Sequence, residues 1–168
     1  MQLAPTTSLY RQITAAATLA GRAVHQVTYL PVTLTISRIS KGPLSLLYHG
    51  TSKEGIQGIA RTGRLLPQGP RDNSPHAQEL GSGIYLTPHM SMALWYANGE
   101  PAPPLIGCEV SLGEIDYEGG FMYGQDSGRT GVAFMDGLPL YCVRDPLRVV
   151  PRYLIYLEQP EAKNTTLK

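Results

Sequence analysis

The sequence lacks a long apolar run, and no stretch of its 168 residues reaches the ~18 to 20 apolar residues of a membrane-spanning helix. It also lacks a charge excess, because 14 basic and 13 acidic side chains leave a formal net charge of +1. Proteins that bind the phosphate backbone of nucleic acids usually carry a clear basic excess. We therefore expect a soluble protein with neither a membrane span nor a nucleic-acid partner.

Cysteine is scarce, and neither of the two cysteines stands at metal-ligand spacing from a histidine. Cys108 and Cys142 each lie inside an apolar run that is typical of a strand, so both are predicted to be buried thiols. No metal site is expected. Unpaired thiols also favour a reducing compartment such as the cytoplasm or the nucleus.

Acidic residues are absent from the first quarter of the chain, because all 13 of them follow Lys53. A basic start that is rich in Ser and Thr resembles an organelle targeting segment. The alternative is an ordinary helix that leads into a strand of the fold. Both interpretations stay open for the helical lead-in at residues 1–26, which precedes one domain at 27–160 and a flexible tail at 161–168.

The 18 glycines and 14 prolines favour an α+β domain with long loops over a helical bundle. A helix is predicted from an N-cap at Ser8 through Ala20. Alternating apolar and polar residues predict a half-buried strand from Val27 to Ile39, in which Pro31 marks an edge or a break.

Two further helices carry start signals in the sequence. Thr51 and Glu54 match a capping box, so a helix is predicted to begin there and to end at Gly63. Thr87 and Pro88 form a cap and first-turn pair for a helix that runs to Ala97 or Asn98. The expected buried face of the earlier helix is Ile56, Ile59 and Ala60. Short strands are predicted at Leu44–Tyr48, Ile84–Leu86, Ile106–Leu112, Leu138–Val143 and Tyr153–Leu157, and irregular segments at 67–83 and 113–136.

Three segments, in this order, resemble the catalytic domain of poly(ADP-ribose) polymerases and of their mono-ADP-ribosylating relatives. They are LYHGTS at 47–52, GSGIYL at 81–86 and YCVRDPLRVVPRYL at 141–154. The spacing of Tyr85 and Tyr96 also matches, without a gap, that of the two tyrosines that sandwich nicotinamide in this family. Three ordered matches make coincidence a poor explanation.

The resemblance implies a site for NAD⁺. His49 would bind the nicotinamide ribose, the backbone of Gly50 would hold the carboxamide, and Tyr85 and Tyr96 would stack on the ring. The residue types suit these roles, because aromatic faces attract a pyridinium cation and a neutral histidine can bond a hydroxyl group. Glycine leaves its backbone groups accessible. The implied NAD⁺-binding set also includes Thr51, Gly83, Ala93, Arg71 and His76.

The fold implied by the resemblance is the ADP-ribosyltransferase fold, an α+β architecture with a split, mostly antiparallel sheet and short flanking helices. The implied activity uses NAD⁺ as substrate, needs no metal, and transfers ADP-ribose to a protein acceptor with release of nicotinamide. Arg71 and His76 would lie in the loop that covers the phosphates and the adenosine. A tRNA 2′-phosphotransferase is disfavoured, because GlyIleTyrLeu at 83–86 stands where that enzyme has a second histidine motif.

Two positions depart from the polymerase pattern. Leu140, five residues before Asp145, stands where the polymerases keep a catalytic glutamate, and Ala93 stands where a serine bonds the carboxamide. Leucine cannot stabilise positive charge or activate a hydroxyl group, so the resemblance implies transfer of single ADP-ribose units, in which the acceptor supplies the carboxylate. The alternative is a catalytically inactive module that binds NAD⁺ or ADP-ribose. Acids that could replace the missing glutamate are Asp136, Glu114 and Glu118.

Overall fold

The computed structural model describes residues 1–34, 36, 43–67, 80–97, 99, 101–117 and 128–159. These residues form three α-helices and eight strands. The helices are α1 (Ser8–Leu19), α2 (Lys53–Thr62) and α3 (Met90–Tyr96). The strands are β1 (Val24–Tyr29), β2 (Ser45–His49), β3 (Ile84–Leu86), β4 (Leu105–Val110), β5 (Ile115–Asp116), β6 (Thr130–Met135), β7 (Leu138–Val143) and β8 (Val149–Leu157).

The strands of the described chain form two four-stranded sheets, with the orders β1-β8-β4-β2 and β3-β7-β6-β5. All the pairings are antiparallel except the short parallel pair of β5 and β6. The first sheet ends at β2 and the second begins at β3, so two edge strands face each other where the sheets meet. This arrangement confirms the predicted α+β fold with a split, mostly antiparallel sheet.

The first sheet carries a core on each of its faces. One core also contains residues of α1 and α3, and the other contains residues of α2 and of the second sheet. The fully buried side chains of the α1 side include Ile13, Ala17, Val27, Leu105 and Ile155. Because α1 shares this core with β1, β4 and β8, the acid-free start of the chain is packed as part of the domain.

Both helix starts near the predicted caps lie one residue away from the prediction. Thr7, rather than Ser8, caps α1, and its hydroxyl accepts a hydrogen bond from the Tyr10 backbone. Ser52, rather than Thr51, caps α2 and accepts from the Gly55 backbone. Adjacent Ser and Thr residues have the same capping chemistry, so only the backbone path decides which of them is used.

The end of α2 was predicted correctly, whereas its buried face and the start of α3 need correction. Gly63 ends α2 in the left-handed conformation with φ +68°, as predicted, whereas Ala60 is exposed and was wrongly assigned to the buried face. Helix α3 begins at Met90, later than the Thr87 and Pro88 pair predicts. The Thr87 hydroxyl accepts from the His89 backbone at 3.1 Å and donates to the Pro139 carbonyl at 2.9 Å, one turn ahead of the helix.

One predicted strand and one predicted irregular segment differ from the structure in their extent. The first strand is Val24–Tyr29, not Val27–Ile39, and residues 30–34 lie outside any strand. Pro31 predicts an edge or a break, and both are observed, because the strand ends at Tyr29 and β1 is the edge strand of its sheet. The segment 113–136 was predicted to be irregular, but its described part contains β5 and β6. Residues 35 and 37–39 lie outside the described chain.

The buried thiols were predicted correctly. Cys108 and Cys142 are both buried and unbonded to each other.

Among the residues that the structure describes, no helix is long and apolar enough to cross a membrane.

The packing of α1 predicts a large penalty for truncating its buried face. Ile13 has no exposed surface, so Ile13→Ala should lower the free energy of unfolding by about 2 to 4 kcal/mol. Leu19 is 86% exposed in the same helix, and Leu19→Ala is the control, with an expected change within about 0.5 kcal/mol. Urea unfolding of both variants measures the difference. Equal stabilities would mean that α1 does not belong to the folded core.

Candidate functional site

The candidate site lies where the two sheets meet. The backbones of Tyr48 and Thr87 exchange two hydrogen bonds, of 2.8 and 3.0 Å, between the end of β2 and the residue that follows β3. This pair joins the edge strands of the two sheets. It also sets the end of β2, and therefore His49, directly beside β3.

His49 is bonded across this junction. Its Nδ1 lies 2.8 Å from the Tyr85 carbonyl oxygen. Because a carbonyl only accepts hydrogen bonds, Nδ1 must carry the proton, and Nε2 remains an acceptor. Burial lowers the pKa of His49 below its ordinary value, although the bond to the Tyr85 backbone opposes this effect. The ring is therefore neutral at physiological pH and offers an acceptor to a hydroxyl group.

Gly50 is required by the packing of α3 against the end of β2. A Cβ atom at Gly50 would lie 1.8 Å from the Ala93 carbonyl oxygen and 3.1 Å from the Ala97 backbone nitrogen. Ala93 is itself 1% exposed and packs in the α1 core. The glycine thus lets the helix approach the strand more closely than any side chain would allow.

The two tyrosines come from different elements and line the same cavity. Tyr85, on β3, donates its hydroxyl proton to the Gly81 carbonyl, with 2.5 Å between the oxygens. Burial raises the pKa of Tyr85, so this hydroxyl stays protonated. Tyr96 ends α3 and meets the ring of Trp95 edge-on, with the ring centroids 5.2 Å apart. The structure therefore brings His49, Tyr85 and Tyr96, three of the predicted site residues, to one cavity.

Gly83 and Thr51 also line this cavity. A Cβ atom at Gly83 would lie 2.3 Å from the Cys142 sulfur, so the glycine is needed for the close pairing of β3 with β7. Two other predicted ligands, Arg71 and His76, lie outside the described residues.

The cavity has a volume of about 390 Å³, within the range of small-molecule sites. One wall of the cavity is formed by α2, for which the sequence predicted only a buried face. The residues of α2 on this wall include Gly55, Gly58, Thr62 and the exposed Arg61, and the exposed Arg64 lines the cavity just after the helix ends. The missed signal was the helical spacing of these residues, since Gly55, Gly58 and Thr62 are three and four positions apart and share one face.

Leu140 lies on β7 and forms part of the cavity wall, although only 1% of its surface is exposed to solvent. Among the described residues that line the cavity, none is an aspartate or a glutamate. Two of the proposed replacement acids lie elsewhere. Asp136 is exposed, and Glu114 forms a surface ion pair of 3.1 Å with Arg129. The third, Glu118, lies outside the described residues.

Comparison with known proteins identifies related sequences. Residues 21–125 match the family described as "Poly(ADP-ribose) polymerase catalytic domain". The chain is also 34% identical over 79 residues to the mouse protein named "Protein mono-ADP-ribosyltransferase PARP4". That alignment covers 44% of this chain and 4% of the mouse protein. The family match contains His49, Tyr85 and Tyr96, and it ends before Leu140.

The steric role of Gly50 predicts opposite effects for two glycine substitutions. Gly50→Ala would overlap the α3 backbone and should lower the free energy of unfolding by about 2 kcal/mol or more. Gly58 lies inside α2, and a Cβ atom there meets nothing within 4 Å. Gly58→Ala should therefore raise stability by about 0.5 to 1 kcal/mol. Urea unfolding without NAD⁺ tests both, and a neutral Gly50→Ala would contradict the close approach.

The lowered pKa of His49 predicts a pH dependence of stability. As the pH falls below about 6.5, the unfolded chain binds a proton at His49 before the folded chain does. The stabilisation from neutral His49 is thus complete above about 6.5 and is lost toward its lower folded pKa. His49→Gln should flatten this part of the stability curve, measured by urea unfolding. His25→Gln is the control, because His25 is exposed. If the stability curve of His49→Gln against pH is the same as that of the control, the assignment is disproved.

Proposed function

Because this chain belongs to the poly(ADP-ribose) polymerase catalytic domain family, we propose that it is a mono-ADP-ribosyltransferase that uses NAD⁺ and modifies a protein acceptor. The observation that carries the proposal is the shared cavity of His49, Tyr85 and Tyr96, with His49 bonded to the Tyr85 carbonyl. The name of the partial mouse relative supports transfer of single units.

The nicotinamide end of NAD⁺ fits the part of the cavity near the sheet junction. Tyr85 and Tyr96 supply aromatic faces for a cationic pyridinium ring. His49 Nε2 is an acceptor for a ribose hydroxyl group, because Nδ1 is engaged by the Tyr85 carbonyl. Gly50 has backbone groups close to the same space, for the carboxamide.

The wall formed by α2 suits the anionic middle of NAD⁺. Arg61 and Arg64 are the cationic side chains among the described cavity residues, and both are exposed at its wall. A guanidinium group pairs with phosphate oxygens through a fixed fork of donors. We therefore assign the diphosphate to the side of Arg61 and Arg64.

The transfer step needs an acceptor that compensates for Leu140. In the proposed reaction, an acceptor carboxylate oxygen attacks the anomeric carbon of the nicotinamide ribose as the bond to nicotinamide breaks. The electron pair of that bond leaves with nicotinamide, which becomes neutral, and an ADP-ribosyl ester forms. The attacking carboxylate also stabilises the positive charge that develops on the ribose, as the missing glutamate would.

A second candidate function is binding without catalysis. It is favoured by Leu140 and by Ala93, two residues of the cavity lining whose side chains cannot donate a hydrogen bond or carry charge. The loss of one hydrogen bond at Ala93 is worth ~0.5 to 1.5 kcal/mol, which weakens NAD⁺ without abolishing its site. This candidate predicts binding of NAD⁺ with no release of nicotinamide.

The requirement for an acceptor carboxylate predicts a sharp dependence on the acceptor. A glutamate-rich peptide incubated with the protein and NAD⁺ should gain single ADP-ribose units, and hydroxylamine should remove them. The same peptide with every glutamate changed to glutamine should gain at least about 10²-fold less, because an amide brings neither charge nor a comparable nucleophile. Mass spectrometry of both peptides and assay of free nicotinamide provide the measurement.

The outcomes separate the two candidates. Equal modification of both peptides would disprove assistance by the acceptor carboxylate. Binding of NAD⁺ without modification or nicotinamide release would establish the binding module instead. No binding, with Tyr85→Ala behaving like the parent protein, would disprove the site.

A further inference from the structure

The turn of residues 80–82, which leads into β3, is held through its carbonyl groups. The Arg144 guanidinium donates to the first carbonyl at 2.9 Å, and the Tyr85 hydroxyl donates to the second at 2.5 Å. The Cys142 sulfur lies 3.9 Å from the third. The turn therefore cannot move without disturbing Tyr85, which lines the cavity.

Arg144 connects this turn to the second sheet. Its other terminal nitrogen donates to the Arg129 carbonyl at 3.2 Å, and a Cβ atom at Gly131 would lie 3.5 Å from that nitrogen. The guanidinium thus packs against Gly131 and bridges the backbone of residue 129 and that of residue 80. Its planar fork of donors is the feature that lets one side chain bond both carbonyls.

Within the described residues, no salt bridge pairs the positive charge of Arg144 with an acid. Its Nε is also buried without a hydrogen-bond partner in the part of the chain that the structure describes. Burying part of a cation without an acid is costly, and carbonyl oxygens are what offset that cost here. An apolar side chain in the same place would not carry this desolvation cost, but it could not bond the two carbonyl groups.

The charge of Arg144 also influences the pKa of two neighbouring groups, the Cys142 thiol and the Tyr85 hydroxyl. Burial raises the pKa of the Cys142 thiol, and Arg144 opposes that effect. Burial likewise raises the pKa of Tyr85, with Arg144 among the opposing influences. Arg144, Cys142 and Tyr85 therefore affect one another electrostatically, and of the three Tyr85 lines the cavity.

We propose that Arg144 is a positioning residue for nicotinamide: by fixing the 80–82 turn, it holds the Tyr85 hydroxyl and so keeps the ring in place before the ligand binds. The nicotinamide part of this inference rests on the proposed function. A ring that is already fixed loses less side-chain freedom on binding, which strengthens affinity without a new contact.

Binding of nicotinamide gives the first test, with Trp95 fluorescence as the signal. Trp95 is the one tryptophan of the sequence, and its ring contacts Tyr96. Arg144→Met should raise the Kd for nicotinamide about threefold to tenfold, and the KM for NAD⁺ more than it lowers kcat. Arg144→Lys, which keeps the charge but not the fork, should fall between Arg144→Met and the parent.

Arg129→Met is the matched control, because it removes the same charge from the same region. The Arg129 side chain forms an exposed ion pair with Glu114, and the Arg129 carbonyl that accepts from Arg144 is kept by the substitution. This variant should keep the Kd of the parent. Tyr85→Phe removes only the hydroxyl anchor, and its effect should be less than additive with that of Arg144→Met.

Thiol labelling gives a second test that needs no ligand. Cys108 and Cys142 are both fully buried, but only Cys142 lies against the 80–82 turn. Arg144→Met should speed the alkylation of Cys142 by a maleimide severalfold and leave Cys108 unchanged, with the two sites distinguished by peptide mass spectrometry. General destabilisation would instead speed both.

The two readouts separate the possible failures. Faster labelling of Cys142 alone, together with a weaker Kd, supports the proposal. Equal acceleration of both cysteines, or an unchanged Kd in a folded Arg144→Met variant, overturns it. A parent protein that binds neither nicotinamide nor NAD⁺ overturns the proposed function and the nicotinamide role with it, and the labelling ratio then decides whether Arg144 fixes the turn.

Discussion

Two backbone hydrogen bonds between Tyr48 and Thr87 join the edge strands of the two sheets, and the geometry of the site follows from that junction. With β2 and β3 side by side, His49 reaches the Tyr85 carbonyl, and that bond fixes the tautomer of the imidazole. The junction also leaves room for a cavity between β3 and α2. A split sheet therefore provides what a continuous sheet would not, which is a ligand-sized space beside backbone groups that are already paired.

The glycines of the two site motifs have roles in the fold that need no ligand. Gly50 admits the Ala93 carbonyl, and Gly83 admits the Cys142 sulfur. Their presence is therefore expected in an active transferase and in an inactive binding module alike, because either protein must pack α3 against β2 and β3 against β7. Residues with no steric duty are better evidence for a ligand. Arg61 and Arg64 belong to this class, since both are exposed and line the cavity.

The sequence predicted what depends on local chemistry and missed what depends on the path of the chain. The motif around His49 and the spacing of Tyr85 and Tyr96 identified three residues that the structure brings to one cavity. Capping was misplaced by one residue, because neighbouring Ser and Thr side chains are chemically equivalent. The α2 wall was missed because Gly55 and Gly58 carry no apolar signal, and an arginine on a helix surface has the same pattern whether it faces water or a ligand.

The chemistry of the cavity wall restricts which acceptors can react. In the proposed reaction, positive charge develops on the ribose as nicotinamide leaves, and among the described residues the wall offers Leu140, three tyrosines and two arginines but no carboxylate. With the diphosphate bound to the arginines, their charge is offset, and the apolar surface of Leu140 leaves the charge on the ribose weakly screened. An acceptor carboxylate is then stabilised by the charge that it relieves, whereas a neutral acceptor is not. On the proposed function, selectivity for carboxylates therefore follows from an apolar Leu140 and from a wall without a carboxylate among the described residues.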